Sequence, residues 1–310
     1  MTFGLQIDET AAIAVLDRAA DAGVTFIDTA DAYPLGGGVE LAGATEEIIG
    51  RWLKGRRDQF VIATKAFGRT GERPWDAGNS RRHLMDAIDA SLRRLGTDFI
   101  DLYQLHSYDD ETPIDESLEA LNDLVRAGKV RYIGCSNFPA FRLARSLGRS
   151  EALGIARFES VQPRYNLLFR EAERELLPLC LEERIAVIPY NPLAGGMLTG
   201  KHDFSRPPPE GTRFAIPNAG KQYQNRYWNK RMFEAVKKFA ELAAGAGLKP
   251  ATLAVAWMLA QPAVTAPIIG ASRAGQLDDT LAAVDVKLGD DLASRLEDLM
   301  KEFGPAEAVR

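Results

Sequence analysis

The feature that most constrains this chain is an alternation: short apolar runs rich in β-branched residues take turns with amphipathic stretches long enough to be helices. A run apolar on both faces belongs in a parallel sheet, and a parallel neighbour needs a crossover that usually holds a helix. Seven strand candidates follow, at residues 24–29, 60–65, 99–106, 131–137, 160–166, 186–191 and 266–272. The helices between them carry start and stop signals. Ser80 reads as an N-cap that sets Leu84, Ile88, Leu92 and Leu95 on one face before Gly96 ends the helix. Ser117 to Ala127 repeats the pattern with Leu118, Leu121 and Val125 inward and Gly128 closing it. No break in composition interrupts the series, so residues 1–310 are expected to form a single α/β domain, and a (β/α)8 TIM barrel suits the length.

Composition excludes several functions. The net charge of -5 opposes a nucleic-acid role, which needs a basic face for phosphates. No run approaches the roughly 18 apolar residues of a membrane span, and no layered signal peptide opens the chain. A cytoplasmic protein without a membrane partner is expected. Cys135 and Cys180 lie in apolar surroundings and suit reduced core thiols, and the three histidines offer no metal-ligand spacing. No heptad seam appears, so the expectation is a monomer, with an oligomer left open.

Two connections are too long for simple turns: Ala66 to Gly78, and Leu193 to roughly Trp228. Loops of that length usually carry function. Both leave the C-terminal ends of strands, the face on which (β/α)8 enzymes place their sites. The strand ends read Asp28, Lys65, His106, Ser136-Asn137, Gln162, Tyr190-Asn191 and Gly270 to Ser272, more polar groups than a structural barrel needs. Taken singly, each has an ordinary structural explanation.

Taken together they resemble the aldo-keto reductase family over almost the whole chain. The motifs are F-I-D-T-A-D-A-Y (26–33), V-I-A-T-K (61–65), I-D-L-Y-Q-L-H (100–106), G-K-V-R-Y-I-G-C-S-N-F (128–138), V-Q-P-R-Y-N-L-L (161–168), Y-N-P-L-A-G-G-M-L-T-G-K (190–201) and I-I-G-A-S-R-A-G-Q-L (268–277). The similarity is to the bacterial type, in the branch that includes potassium-channel β subunits. It implies an NADP-dependent enzyme that reduces an aldehyde or ketone, a small-molecule carbonyl substrate, to an alcohol. Hydride delivery to the carbonyl carbon must be matched by a proton for the developing alkoxide. The resemblance gives that proton to Tyr33, with Lys65 favouring the phenolate, Asp28 neutralising Lys65, and His106 hydrogen-bonding the carbonyl oxygen.

The cofactor implied is NADPH/NADP+, bound without a Rossmann fingerprint: Gly36-Gly37-Gly38 lacks the required spacing. By position, Ser136, Asn137 and Gln162 match the carboxamide site and Tyr190 the ring that stacks on nicotinamide. Asn191, Leu193, Gly195, Lys201 and Arg213 match the pyrophosphate segment. Gly270, Ser272, Arg273 and Gln276 match the adenosine 2'-phosphate and adenine site, where a guanidinium meets phosphate bidentately. Asp279 and Thr280 stand where many relatives have Glu and Asn, which alters the adenine contacts expected of Thr280. Gln6 matches a further cofactor position.

Relatives open with a β-hairpin and a first strand ending near the equivalent of residues 1–4, so hairpin and strand are expected to be truncated here. Two alternatives stay open. One is an NADPH-binding redox sensor with little turnover, as in the potassium-channel β subunits, although those carry Asn where this chain has His106. The other is a sugar or secondary-metabolite ketoreductase, with Trp75, Tyr223, Tyr227 and Trp228 lining an aromatic pocket or merely packing their loops. The short tail after the helix expected at 290–303 implies an open site.

Overall fold

The computed structural model describes residues 1–305, so the end of the tail expected to leave the site open lies outside the described residues. Strand and helix alternate as α1 (Glu9–Asp21), β1 (Phe26–Asp28), α2 (Ala44–Leu53), β2 (Val61–Ala66), α3 (Arg81–Leu95), β3 (Ile100–Leu105), α4 (Ile114–Arg126), β4 (Val130–Ser136), α5 (Ala140–Leu153) and β5 (Phe158–Gln162). Then come α6 (Leu176–Glu183), β6 (Ala186–Val187), α7 (Gly220–Tyr227), α8 (Lys230–Gly245), α9 (Pro250–Leu259), α10 (Leu277–Leu281) and α11 (Asp290–Met300). Strands β1 to β5 form a sheet in sequence order, and all their pairings are parallel. A parallel strand after each helix from α1 to α5, in unbroken order, is the βα repeat of the α/β barrel class.

Contacts divide the chain into two compact units. The first holds Met1–Gln162, Glu183–Ile185 and Ser272–Ala274; the second holds Pro163–Glu182, Ala186–Ala271 and the chain from Gly275. In the first unit the strands bury Ile62, Ala63, Ile100, Tyr103, Leu105, Ile133 and Cys135. The helices cover them by the spacing of their apolar residues. Ser80 does cap α3, its hydroxyl accepting from the His83 amide, and Gly96 ends it in the left-handed conformation at φ 64°. Leu84, Ile88 and Leu95 are buried, whereas Leu92 is only half-buried at the edge of the stripe. In α4 the helix begins three residues before Ser117, directly after Pro113 at the N-cap, with Asp115 and Glu116 in the first turn where negative charge suits the helix dipole. Leu118 and Leu121 are buried as the spacing predicts, Leu124 joins them one turn on, and Val125 is only half-buried at the edge of the stripe.

The second unit is built around α9, buried from Ala251 to Met258. The loop expected from Leu193 to Trp228 is partly ordered there: it contains 3₁₀ turns at Ala194–Thr199 and Arg213–Ala215, and then α7. Prolines shorten the late strands. Pro163 ends β5, Pro189 follows β6, and the segment with Pro267 makes only the isolated bridge of Ile268 to Tyr190. Each proline removes a ladder donor, so the expected strands at 160–166, 186–191 and 266–272 are cut back or lost. Both cysteines are buried, and neither forms a disulfide. Among the described residues no group of His, Cys, Asp and Glu could hold a metal, and no single helix is long and apolar enough to cross a membrane.

Candidate active site

Alternation along β2 sets the site. Successive side chains point to opposite faces of a strand, so Lys65 and its predecessor Thr64 serve different neighbours. In register, Lys65 lies opposite Gln104, and Ser136 opposite Gln162. Asp28 ends β1, His106 follows β3, and Asn137 follows β4. The C-terminal edge of the first unit's sheet therefore gathers Asp28, Lys65, His106, Ser136, Asn137 and Gln162.

The bonds among them are specific. The Lys65 side chain is wholly buried and Asp28 is 6% exposed. Lys65 Nζ donates to Asp28 Oδ2 at 2.5 Å and to the Thr29 carbonyl at 2.7 Å. The other oxygen of Asp28 accepts from Gln162 Nε2 at 2.8 Å and from Gln104 Nε2 at 3.1 Å. A buried ion pair is tolerable only when its remaining lone pairs are satisfied, and removing one partner typically costs about 3–5 kcal/mol. Here two glutamine amides complete the carboxylate. The Lys65 ammonium also lies 5.2 Å from the centroid of the Tyr33 ring.

Tyr33 is half-buried, and its hydroxyl lies 3.5 Å from His106 Nε2, with the rings edge to face at 5.5 Å. That spacing is long for a hydrogen bond, and it lets both polar tips approach one further atom. Burial, and after it the Lys65 charge, lowers the His106 imidazole to about 3. An edge of His106 remains accessible, and the ring, neutral in the physiological range, can donate a hydrogen bond without carrying charge.

Ser136, Asn137 and Gln162 also meet. Ser136 Oγ donates to the Gln162 carbonyl at 2.7 Å, and the Asn137 amide donates to the His106 carbonyl at 2.9 Å and to Ser136 Oγ at 3.1 Å. Asn137 is held at φ 59°, a conformation an asparagine tolerates better than most residues. Gln6, Ser272 and Arg273 belong to the first unit as well, Arg273 being exposed.

The second unit contains Tyr190, Asn191, Leu193, Gly195, Lys201, Arg213, Gly270, Gln276 and Thr280. Asn191 Oδ1 accepts from the Gly195 amide at 2.5 Å, folding the glycine turn back on itself. Gly195 has φ 72°, and a side chain there would press on Tyr223. Arg213 keeps a buried Nη1 without a hydrogen-bond partner, an orphaned donor that fits an anion such as a pyrophosphate. Two of the departures at the chain's end are spent internally: Lys249 Nζ pairs with Asp279 at 2.6 Å, and the buried Thr280 hydroxyl donates to the Leu277 carbonyl at 3.0 Å.

The loop aromatics pack. Tyr227 is buried with its hydroxyl beside the Asn166 and Asn191 amides, Tyr223 is buried, and Trp228 meets Phe214 and Phe233 edge to face. Trp75 is more than a third exposed, but Arg82 lies over its ring at 4.0 Å. Sequence reasoning missed Gln104, although a lone polar letter inside I-D-L-Y-Q-L was a usable signal. It also missed Asp31, buried with both carboxyl oxygens unpartnered, whose carboxyl is pushed well up first by burial and then by the Glu46 charge.

The sequence profile described as "Aldo/keto reductase family" matches residues 1–301. The chain belongs to the aldo/keto reductase family. Its relatives include the "Uncharacterized oxidoreductase YrpG" of Bacillus subtilis, 39% identical over 96% of this chain and 90% of the relative. The "Aldo-keto reductase yakc [NADP(+)]" of Schizosaccharomyces pombe is 37% identical over 91% of this chain and 80% of its own. A "Probable voltage-gated potassium channel subunit beta" of Arabidopsis thaliana is 35% identical over 92% and 85%. This aldo/keto reductase is therefore an oxidoreductase of the family that acts on small carbonyl compounds, with the α/β barrel class of fold.

Proposed function

We propose that this aldo/keto reductase reduces an aldehyde or ketone with NADPH, using Tyr33 as the general acid. The observation that carries the reading is the convergence of a half-buried phenol, a neutral imidazole and a buried Lys65–Asp28 pair at one sheet edge. When bound, the nicotinamide supplies a hydride for the carbonyl carbon. Tyr33 gives its hydroxyl proton to the carbonyl oxygen. Lys65 favours the phenolate left behind, and Asp28, completed by Gln104 and Gln162, keeps the lysine aimed and its charge balanced. His106 donates a hydrogen bond to the same oxygen, orienting the substrate and sharing the developing charge.

Ser136, Asn137 and Gln162 would hold the carboxamide, and Tyr190 would stack on the ring. Asn191, Leu193, Gly195, Lys201 and Arg213 would follow the pyrophosphate; the unpartnered Arg213 nitrogen supports this. Gln6, Gly270, Ser272, Arg273 and Gln276 complete the set. Arg273 favours NADPH over NADH, because a charge-assisted bond to phosphate is worth about 1.5–3 kcal/mol. Thr280 contributes through the shape of α10, since its hydroxyl is already used.

The test is cofactor oxidation followed by absorbance on adding short aldehydes, sugars, methylglyoxal and aromatic ketones, with NADPH and NADH compared. Turnover is expected with NADPH preferred, and Arg273→Ala should lower kcat/KM for NADPH roughly 10- to 100-fold while sparing NADH. A preference for NADH in the unmodified enzyme would overturn the cofactor assignment. The similarity to a potassium-channel β subunit favours a second reading, a cofactor-binding regulatory protein. Tight NADPH binding with no turnover across the panel would support that reading instead.

A further inference from the structure

Thr64 points away from Lys65, toward the helices, and meets a buried carboxylate there. Glu46, in the first turn of α2, is wholly buried; Thr64 Oγ1 donates to its Oε1 at 2.5 Å and Arg94 Nε to its Oε2 at 2.7 Å. Arg94 comes from the last turn of α3. To reach Glu46 it crosses Gly43, where a Cβ would crowd the guanidinium stem and where φ is 91°. Gly43 is thus required twice, by conformation and by the passage of Arg94. The turn it opens holds the other side of the site. The backbone amides of Gly43 and Thr45 donate to the Tyr33 carbonyl at 3.2 and 3.4 Å.

One carboxylate therefore ties together the strand residue beside Lys65, the end of α3, and the turn whose amides hold the Tyr33 carbonyl. We propose that Glu46 is a positioning residue that fixes the distance between the Tyr33 phenol and the Lys65 ammonium, acting through Thr64 on β2 and through the first turn of α2. The inference rests on the reading of Tyr33 and Lys65 as the proton-donating pair. Glu46 also has a polar partner on each of its oxygens, so the geometry of its hold is set in two directions.

The groups facing Tyr33 are Lys65 from β2, Asp28 from β1 behind it, and His106 after β3. If Lys65 drifts from Tyr33, the phenolate loses its neighbouring cation and the phenol titrates at higher pH. Two substitutions separate positioning from stability. Thr64→Val keeps the shape but cuts the arm to β2. Glu46→Gln keeps an acceptor for Arg94 and an amide for the Thr64 hydroxyl, so it preserves geometry while removing the charge that balances Arg94.

The experiment measures melting temperature, kcat, the dissociation constant of NADPH, and the titration of Tyr33 by carbon NMR of ring-labelled tyrosine, assigned with Tyr33→Phe. For Thr64→Val the expected result is a fall in kcat of roughly tenfold, since misplacements of about 1 Å cost up to 10²-fold, with NADPH binding within twofold and the Tyr33 midpoint moved upward. For Glu46→Gln the expected result is the reverse: a lower melting temperature, with kcat and the Tyr33 midpoint close to those of the parent enzyme. Should stability and kcat fall together in both variants with the Tyr33 midpoint unmoved, Glu46 is structural and the proposal is overturned. If the parent enzyme turns over no carbonyl, the reductase reading fails, while the Tyr33 titration still decides whether Glu46 sets the phenol's surroundings.

Discussion

At Asp31 burial, and after it the Glu46 charge, pushes the carboxyl well above the usual aspartate range. In the unfolded chain an aspartate titrates near 3.9. The folded protein keeps the proton to higher pH, so the stability Asp31 contributes is fully present below about pH 4 and is lost as pH rises through its folded value. Asparagine has no such loss. The unfolding free energy of Asp31→Asn relative to the parent, read by chemical denaturation, is expected to rise from pH 4 upward, at up to about 1.4 kcal/mol per pH unit, until pH passes the folded value. A difference that stays constant between pH 4 and 8 would show that Asp31 is ionised after all. At this scale the sequence was partly legible. Asp28, Tyr33, Lys65 and His106 fall inside dense motifs, whereas Glu46 and Arg94 are 48 positions apart and look like ordinary surface charges. Only the close approach of two helices makes them partners.

That approach is an affair of elements. Gly50 lies where α2 crosses the end of α3, and a Cβ there would collide with the Arg94 carbonyl oxygen. A backbone atom cannot swing aside, so α2 itself must shift. Gly50→Ala is expected to destabilise the protein by about 1–3 kcal/mol, the usual cost of overpacking, read as a lower denaturation midpoint. Because the first turn of α2 holds the Tyr33 carbonyl, kcat should fall with it. An unchanged midpoint would contradict the packing described. Helix ends with chemical signals, such as Ser80 and Gly96, were readable from sequence. The strand expected at 266–272 was not, because β-branched letters outweighed Pro267, which limits the ladder. Within the long loop after Leu193, α7 was hidden by its polar composition, and the spacing of Tyr223 and Tyr227, one helical turn apart, was the signal that could have revealed it.

For the molecule as a whole, family and fold class were legible because seven motifs occur in order along one chain and because βα alternation leaves few other architectures. Substrate was not, since it depends on loops whose aromatics turn out to pack inward, Tyr227 against Asn166 and Asn191 and Trp228 against Phe214. The central claim is that a half-buried phenol beside a buried ammonium makes this oxidoreductase a carbonyl reductase. Its most direct test compares the parent enzyme with Tyr33→Phe, following NADPH oxidation with an accepted aldehyde and NADPH binding by fluorescence. The expected result is unchanged binding with reduction slowed by about 10² to 10⁴, the usual worth of general-acid catalysis; near-parental turnover in Tyr33→Phe would contradict it.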